Sequence, residues 1–71
     1  MAENYGKVLK SIRKDKKLYL KDVKEKTGIS IASLSLIETG KIKPRPTTIK
    51  KLSEVYEIDY FTLYNLLEKG E

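Results

Sequence analysis

The sequence predicts an all-α domain of five short helices, and three observations carry that prediction. Apolar residues recur at three- and four-residue spacing along most of the chain. Glycines, above all Gly28 and Gly40, and the neighbouring prolines Pro44 and Pro46 punctuate it. No segment shows the apolar–polar alternation of a half-buried strand. At 71 residues the chain makes a single domain. A chain this short buries only about 60% of its unfolded surface, so its core is thin and gains from close helix packing or from a second copy.

The elements follow in order. Tyr5, Val8, Leu9 and Ile12 lie at helical spacing with lysines and Arg13 around them, which predicts helix one over residues 5–15. Residues 18–27 carry helix two. Leu18 and Val23 suit the two ends of a hydrophobic staple, and Asp22 sits in the first turn, where the helix dipole favours a carboxylate. Tyr19 falls at its N-cap and is a poor cap, lacking a short acceptor side chain. Gly28 suits a left-handed turn, Ser30 is a good N-cap, and Ile29 and Leu34 form a second staple. Helix three spans 31–38 and stops at Gly40. Pro46 opens helix four, 46–56, whose apolar stripe is Ile49, Leu52, Val55 and Tyr56.

Asp59 caps helix five, 60–68. Tyr60, Leu63, Tyr64 and Leu67 gather on one stripe toward the core, while Phe61, about 100° from Tyr60, falls outside it. A helix apolar on more than one face is buried in something larger or paired. Phe61 and Tyr64 are therefore the candidate interface of a two-fold homodimer, which would set two copies of helix three about 34 Å apart, one turn of DNA. The plainer alternatives are that Phe61 folds over its own core or marks the approach to a further domain.

Composition excludes several kinds of chemistry. The chain has no Cys and no His, so disulfides, thiolate or imidazole metal sites and the commonest general base are absent. Ten carboxylates are scattered among lysines, with no phosphate-cradling glycine loop and no nucleophile in a recognised motif. The expectation is a protein that is not an enzyme and needs no cofactor or metal. The amino terminus lacks the apolar stretch of a signal peptide. The longest uncharged run, from Thr27 to Ile37, is far below the roughly 18 residues of a membrane span. A soluble cytoplasmic protein with no membrane partner is expected.

Charge is unevenly placed. Residues 1–51 hold 14 of the 15 basic residues and 5 acids, a net of +9, whereas residues 52–71 carry a net of −4. A basic body with an acidic end suits a polyanion partner, although lysines also simply solvate helix faces.

Helix two, a glycine turn and a capped helix three outline a helix-turn-helix. In that arrangement the first helix packs over the second and holds its outer face clear for the major groove of double-stranded DNA. Leu34 and Ile37, about 60° apart on the helical wheel, point inward. Ala32, Ser35 and Leu36, flanked by Ile31 and Ser33, make the opposite face, which would meet base edges. Lys21 and Ser30 stand at the amino ends of helices two and three, where backbone amides suit phosphate. Lys41, Lys43 and Arg45 crowd the loop after helix three and are placed to touch phosphates, the alternative being a solvated loop.

The stretch TGISIASLSLIETGKIKP resembles the signature of the Cro/repressor (Xre) helix-turn-helix family. Gly28, Ile29, Ser30, Leu34, Ser35, Ile37, Glu38, Gly40 and Pro44 carry the match, and the likeness extends from Tyr5 to Tyr64. The resemblance implies a five-helix, Cro/repressor-like all-α fold and a DNA-binding transcriptional regulator, most simply a repressor. It also implies an ion pair between Arg13 and Glu38, and DNA-facing positions at Leu20, Ile31, Ala32, Ser33, Leu36 and Thr39.

The chain departs from the family pattern in telling places. Leu20 stands where Gln is common, Lys24 where a small residue is common and Glu57 where Gly is common. The reading helix has no Arg, Lys, Asn or Gln between Ile31 and Ile37, so it lacks the bidentate partners of guanine and adenine. Serine hydroxyls and apolar contact with thymine methyls remain to it, and modest specificity is expected. A second reading is a protein-interaction module of the same fold, antirepressor- or antitoxin-like, with an unspecified protein partner. The apolar reading helix favours that reading, and the +9 of residues 1–51 opposes it.

Overall fold

The computed structural model describes residues 4–69; residues 1–3, 70 and 71, which include two of the acids counted above, lie outside it. Five helices make up the fold: α1 (Tyr5–Asp15), α2 (Leu20–Thr27), α3 (Ile31–Glu38), α4 (Pro46–Tyr56) and α5 (Tyr60–Lys69). The described residues contain no strand. The all-α expectation holds, with the last helix one residue longer than expected.

The main packing pairs are α1 with α3, α3 with α2, α2 with α4, α4 with α5, and α5 with α1. Those five contacts close a ring. Inside it lie Tyr5, Leu9, Val23, Leu34, Ile37, Ile49, Leu52, Tyr56, Leu63 and Leu67, all buried. Leu18 and Ile29, the outer ends of the two expected staples, pack against this core, as does Leu20.

Tyr64 departs from the expected core stripe: it is exposed, while Leu63 and Leu67 are fully buried and Tyr60 half-buried. At 100° per residue, Leu63 and Leu67 fix the centre of the buried stripe, which leaves Tyr64 about 80° away at its edge. The Tyr60 and Tyr64 rings stack at 6.3 Å, so Tyr64 packs along the helix instead of into the core.

The helix starts satisfy their free amides in different ways. Ser33 N–H donates to Ser30 Oγ at 3.1 Å, the side-chain cap expected of α3. The Asp59 carboxylate accepts from Phe61 N–H at 3.1 Å and Thr62 N–H at 3.3 Å. Pro46 removes one donor at the start of α4. The weak Tyr19 position is rescued from inside the helix, where Asp22 Oδ2 accepts from Tyr19 N–H at 2.7 Å.

Four of the helix ends share one device. Lys17, Gly28, Gly40 and Glu57 all adopt positive φ, between 56° and 79°. After α1, Leu18 N–H bonds the Arg13 carbonyl and Lys17 N–H that of Lys14; after α4, Ile58 N–H bonds Ser53 and Glu57 N–H bonds Glu54. Lys41 and Gly40 do the same with Leu36 and Ile37 after α3. Each of these three is a Schellman closure, which needs a left-handed residue to reverse the chain; after α2, Gly28 N–H bonds the Lys24 carbonyl and Ile29 N–H turns to Thr27 Oγ1, a simpler left-handed cap. Glycine takes that conformation freely, but a side chain there costs about 1–2 kcal/mol.

Replacing Glu57 by Gly relieves that strain, offset by the larger entropy of an unfolded glycine. The expected net gain in urea or thermal unfolding is about 0.5–1 kcal/mol, a rise of about 4–8 °C per kcal/mol in Tm. Glu54→Gly, inside the same helix, should instead lower stability by about 1 kcal/mol. Equal losses in both variants would show that Glu57 carries no strain.

Candidate nucleic-acid interface

The helix-turn-helix is built from α2, the three-residue turn Gly28-Ile29-Ser30 and α3. Thr27 locks the turn: its hydroxyl donates to the Val23 carbonyl at 2.7 Å and accepts from Ile29 N–H at 3.1 Å. Val23 is fully buried beneath it. Leu34 and Ile37 then anchor α3 from its inner side.

Anchoring of the far end falls to Arg13 and Glu38. Arg13 Nε donates to Glu38 Oε2 at 2.8 Å and its Nη2 to Oε1 at 3.0 Å, a bidentate pair. The third guanidinium nitrogen donates to the Leu18 carbonyl at 2.9 Å. The two side chains are only 10% and 8% exposed. The hydrogen bond to Glu38 raises the Arg13 pKa further, against the opposing effect of burial. Burial, with Glu38 nearby, pushes the Tyr56 phenol up to about 12.

Two contacts missed in the sequence reinforce this seat. Gly6 lies so close to the end of α3 that a Cβ would stand 2.7 Å from the Ile37 carbonyl oxygen and closer still to that of Glu38. The Tyr5 hydroxyl donates to the Ile42 carbonyl at 2.7 Å, holding the loop that follows α3. Pro44, in that loop, is buried, while Lys41, Lys43 and Arg45 around it are exposed.

The candidate DNA-facing residues separate by position. Ile31, Ala32, Ser35, Leu36 and Thr39 are exposed on α3 and its end; Ser33 is half-buried. Ser30 is exposed, but its hydroxyl is held by the cap and by Ser33 Oγ at 2.9 Å. Lys21 is exposed at the first turn of α2, whereas Leu20 beside it is half-buried against the core. Leu20 therefore offers less surface than the resemblance implies, because its apolar side chain gains more from the core than from water. Tyr19, expected only as a poor cap, is 70% exposed beside Lys21, whose Nζ lies 6.0 Å from its ring centre.

Away from this face, a concavity of about 670 Å³ lies between the α1–α2 turn, the end of α2 and α4, and none of these candidates lines it. Phe61 is 71% exposed on α5 and packs edge-on against Tyr60 at 5.3 Å. Tyr64 hydrogen-bonds Glu68, which raises the phenol pKa. No described helix is long and apolar enough to cross a membrane. No group of three or more described carboxylates could hold a metal.

A helix-turn-helix family profile matches residues 9–63, most of the chain and the whole of α2, the turn and α3. The chain belongs to the Cro/repressor (Xre) helix-turn-helix family. That is a family of non-enzymatic, DNA-binding transcription regulators. Two relatives come from Bacillus subtilis (strain 168). The chain is 41% identical over 59 residues to the HTH-type transcriptional repressor RghR, covering 82% of this chain and 44% of that protein. It is 40% identical over 60 residues to the uncharacterized HTH-type transcriptional regulator RghRB, covering 83% of this chain and 43% of the relative. The chain thus spans less than half the length of either relative. No solved structure gave a significant match.

The Arg13–Glu38 pair is close to fully buried, so removing one partner strands the other charge. Glu38→Gln should cost about 3–5 kcal/mol in denaturant unfolding, the range for breaking a buried pair. Replacing both residues together with apolar side chains should recover much of it. A loss under about 1 kcal/mol, the size for an exposed pair, would show that water reaches the guanidinium freely.

Proposed function

We propose that this chain is the DNA-binding part of a transcriptional repressor, laying α3 in the major groove of duplex DNA with residues 41–45 on the phosphate backbone. The carrying observation is an exposed face on α3, aimed away from the core and followed directly by three exposed cations. Groove binding needs that pairing of a projecting helix with flanking positive charge. The net +9 of residues 1–51 adds to the attraction. The repressor name of the Bacillus subtilis relative supports repression as the outcome.

Lys43→Ala with Arg45→Ala should weaken binding to any duplex. It should also flatten the log affinity–log salt slope by roughly 0.9 for each lost phosphate contact. Unchanged affinity and slope across several salt concentrations would remove this loop from the DNA.

The same reading places the working unit as a homodimer through α5. Phe61 stands at the rim of a shallow apolar concavity of about 350 Å³, lined also by Pro46, Thr47, Lys50 and Tyr60. One two-fold axis can seat each Phe61 in the partner's concavity, a self-complementary contact. The protein measures 27 × 24 × 22 Å, a size that lets two abutting copies reach half-sites about 34 Å apart. The net negative charge of residues 52–71 would then lie in the part of the chain that pairs, not on the phosphates. The exposed Ile31 and Leu36 also suit a protein partner, and salt-insensitive capture of a protein in place of duplex would favour that second reading.

Phe61→Glu should leave the helical fold intact, since the side chain is outside the core, yet shift sedimentation to the monomer and weaken operator binding. A wild-type chain that stays monomeric at high concentration and on DNA would refute the α5 interface.

A further inference from the structure

The reading face of α3 has an unusual chemistry. Counted at 100° per residue from Ile31, the residues Ser35, Thr39, Ala32 and Leu36 fall within an arc of about 140°. All five are exposed, Ile31 at 41% and Leu36 at 40%. Base edges are normally read by Arg, Lys, Asn or Gln, and none occurs between Ile31 and Ile37.

The hydroxyls near this arc are largely committed elsewhere. Thr39 Oγ1 donates back to the α3 backbone, 2.9 Å from the Ser35 carbonyl and 3.2 Å from that of Leu36. Ser30 Oγ is the α3 cap and also bonds Ser33 Oγ. Ser35 is left as the polar group of the arc, and one hydroxyl cannot form a bidentate pair with a base. What the arc offers is apolar surface at the scale of single methyl groups. Lys21 at the head of α2 and the cations of residues 41–45 are exposed on the adjoining segments, so the occupant is a polyanion bearing apolar groups.

The major groove of DNA presents one apolar group, the methyl at C5 of thymine. Cytosine carries a hydrogen at the same ring position, and methylation places the same group there. We infer that α3 recognises the C5-methyl group itself, through Ile31, Ala32 and Leu36, whichever pyrimidine carries it. Methylation of cytosine then creates or strengthens a binding site without changing the base sequence. This rests on the groove-binding reading above and specifies what the groove must display.

The test uses the full chain and duplexes selected from a random library at fixed salt. At each pyrimidine facing α3, four duplexes are compared, carrying thymine, uracil, cytosine or 5-methylcytosine, each with its matching purine. Uracil for thymine should weaken binding about four-fold per contacted methyl, the effect of burying one such group. Methylation of cytosine should strengthen binding by a similar factor. With Ile31→Ala and Leu36→Ala combined, methylated and unmethylated duplexes should bind alike. Salt-dependent binding that ignores both methyls, or a consensus discriminated at its guanines, would overturn the inference and leave groove binding standing. Failure to bind any duplex at low salt would overturn both.

Discussion

The exposed face of α3 depends on how the carboxyl end of that helix is held. A helix of eight residues gains little stability of its own, because its few internal hydrogen bonds barely offset the cost of nucleation. Its direction must come from outside. The guanidinium of Arg13 supplies it, gripping Glu38 with two nitrogens and the Leu18 carbonyl with the third. One side chain thus ties the end of α3 to α1 and to the turn that launches α2. Gly6 makes the grip possible, since any larger residue would push α1 off the α3 carbonyls. The Tyr5–Ile42 bond carries the same seat into the basic loop.

Much of this was legible in the sequence because it depends on local chemistry. Helix bounds followed from apolar spacing and from punctuation by Gly28, Ser30, Gly40, Pro46 and Asp59, each acting on its immediate neighbours. The Arg13–Glu38 pair was available only through family resemblance, since nothing local links positions 25 residues apart. Gly6 gave no sign at all, because its role is set by a backbone that arrives from the other end of the helix-turn-helix. Tyr64 was misplaced for a related reason. Spacing alone defines a stripe about 100° wide, and only packing decides which edge of it faces inward. Leu20 was likewise a matter of degree, standing where the resemblance implies contact with DNA yet half-buried.

The two unusual features of the chain lie on opposite sides of its balance between stability and recognition. The left-handed Lys17 and Glu57 occupy positions where glycine would be easier, so the fold carries strain in two of its turns. Helix α3 does the converse. It exposes Ile31 and Leu36 to water, surface that a monomer would rather cover. Strain in a turn is a cost without an evident gain in this chain. Exposed apolar surface on a projecting helix is a cost that a partner can remove.

The closed ring of helix contacts has a bearing on motion. In a linear stack, a terminal helix has one neighbour and can detach by losing one interface. In a ring no member is terminal, so opening any helix breaks two interfaces at once and exposes the shared interior. Fluctuations that release a single helix then cost two interfaces rather than one. Backbone amides in all five helices would exchange with solvent through one common opening, with fraying confined to the helix ends. Such a molecule presents the exposed face of α3 as part of a rigid body.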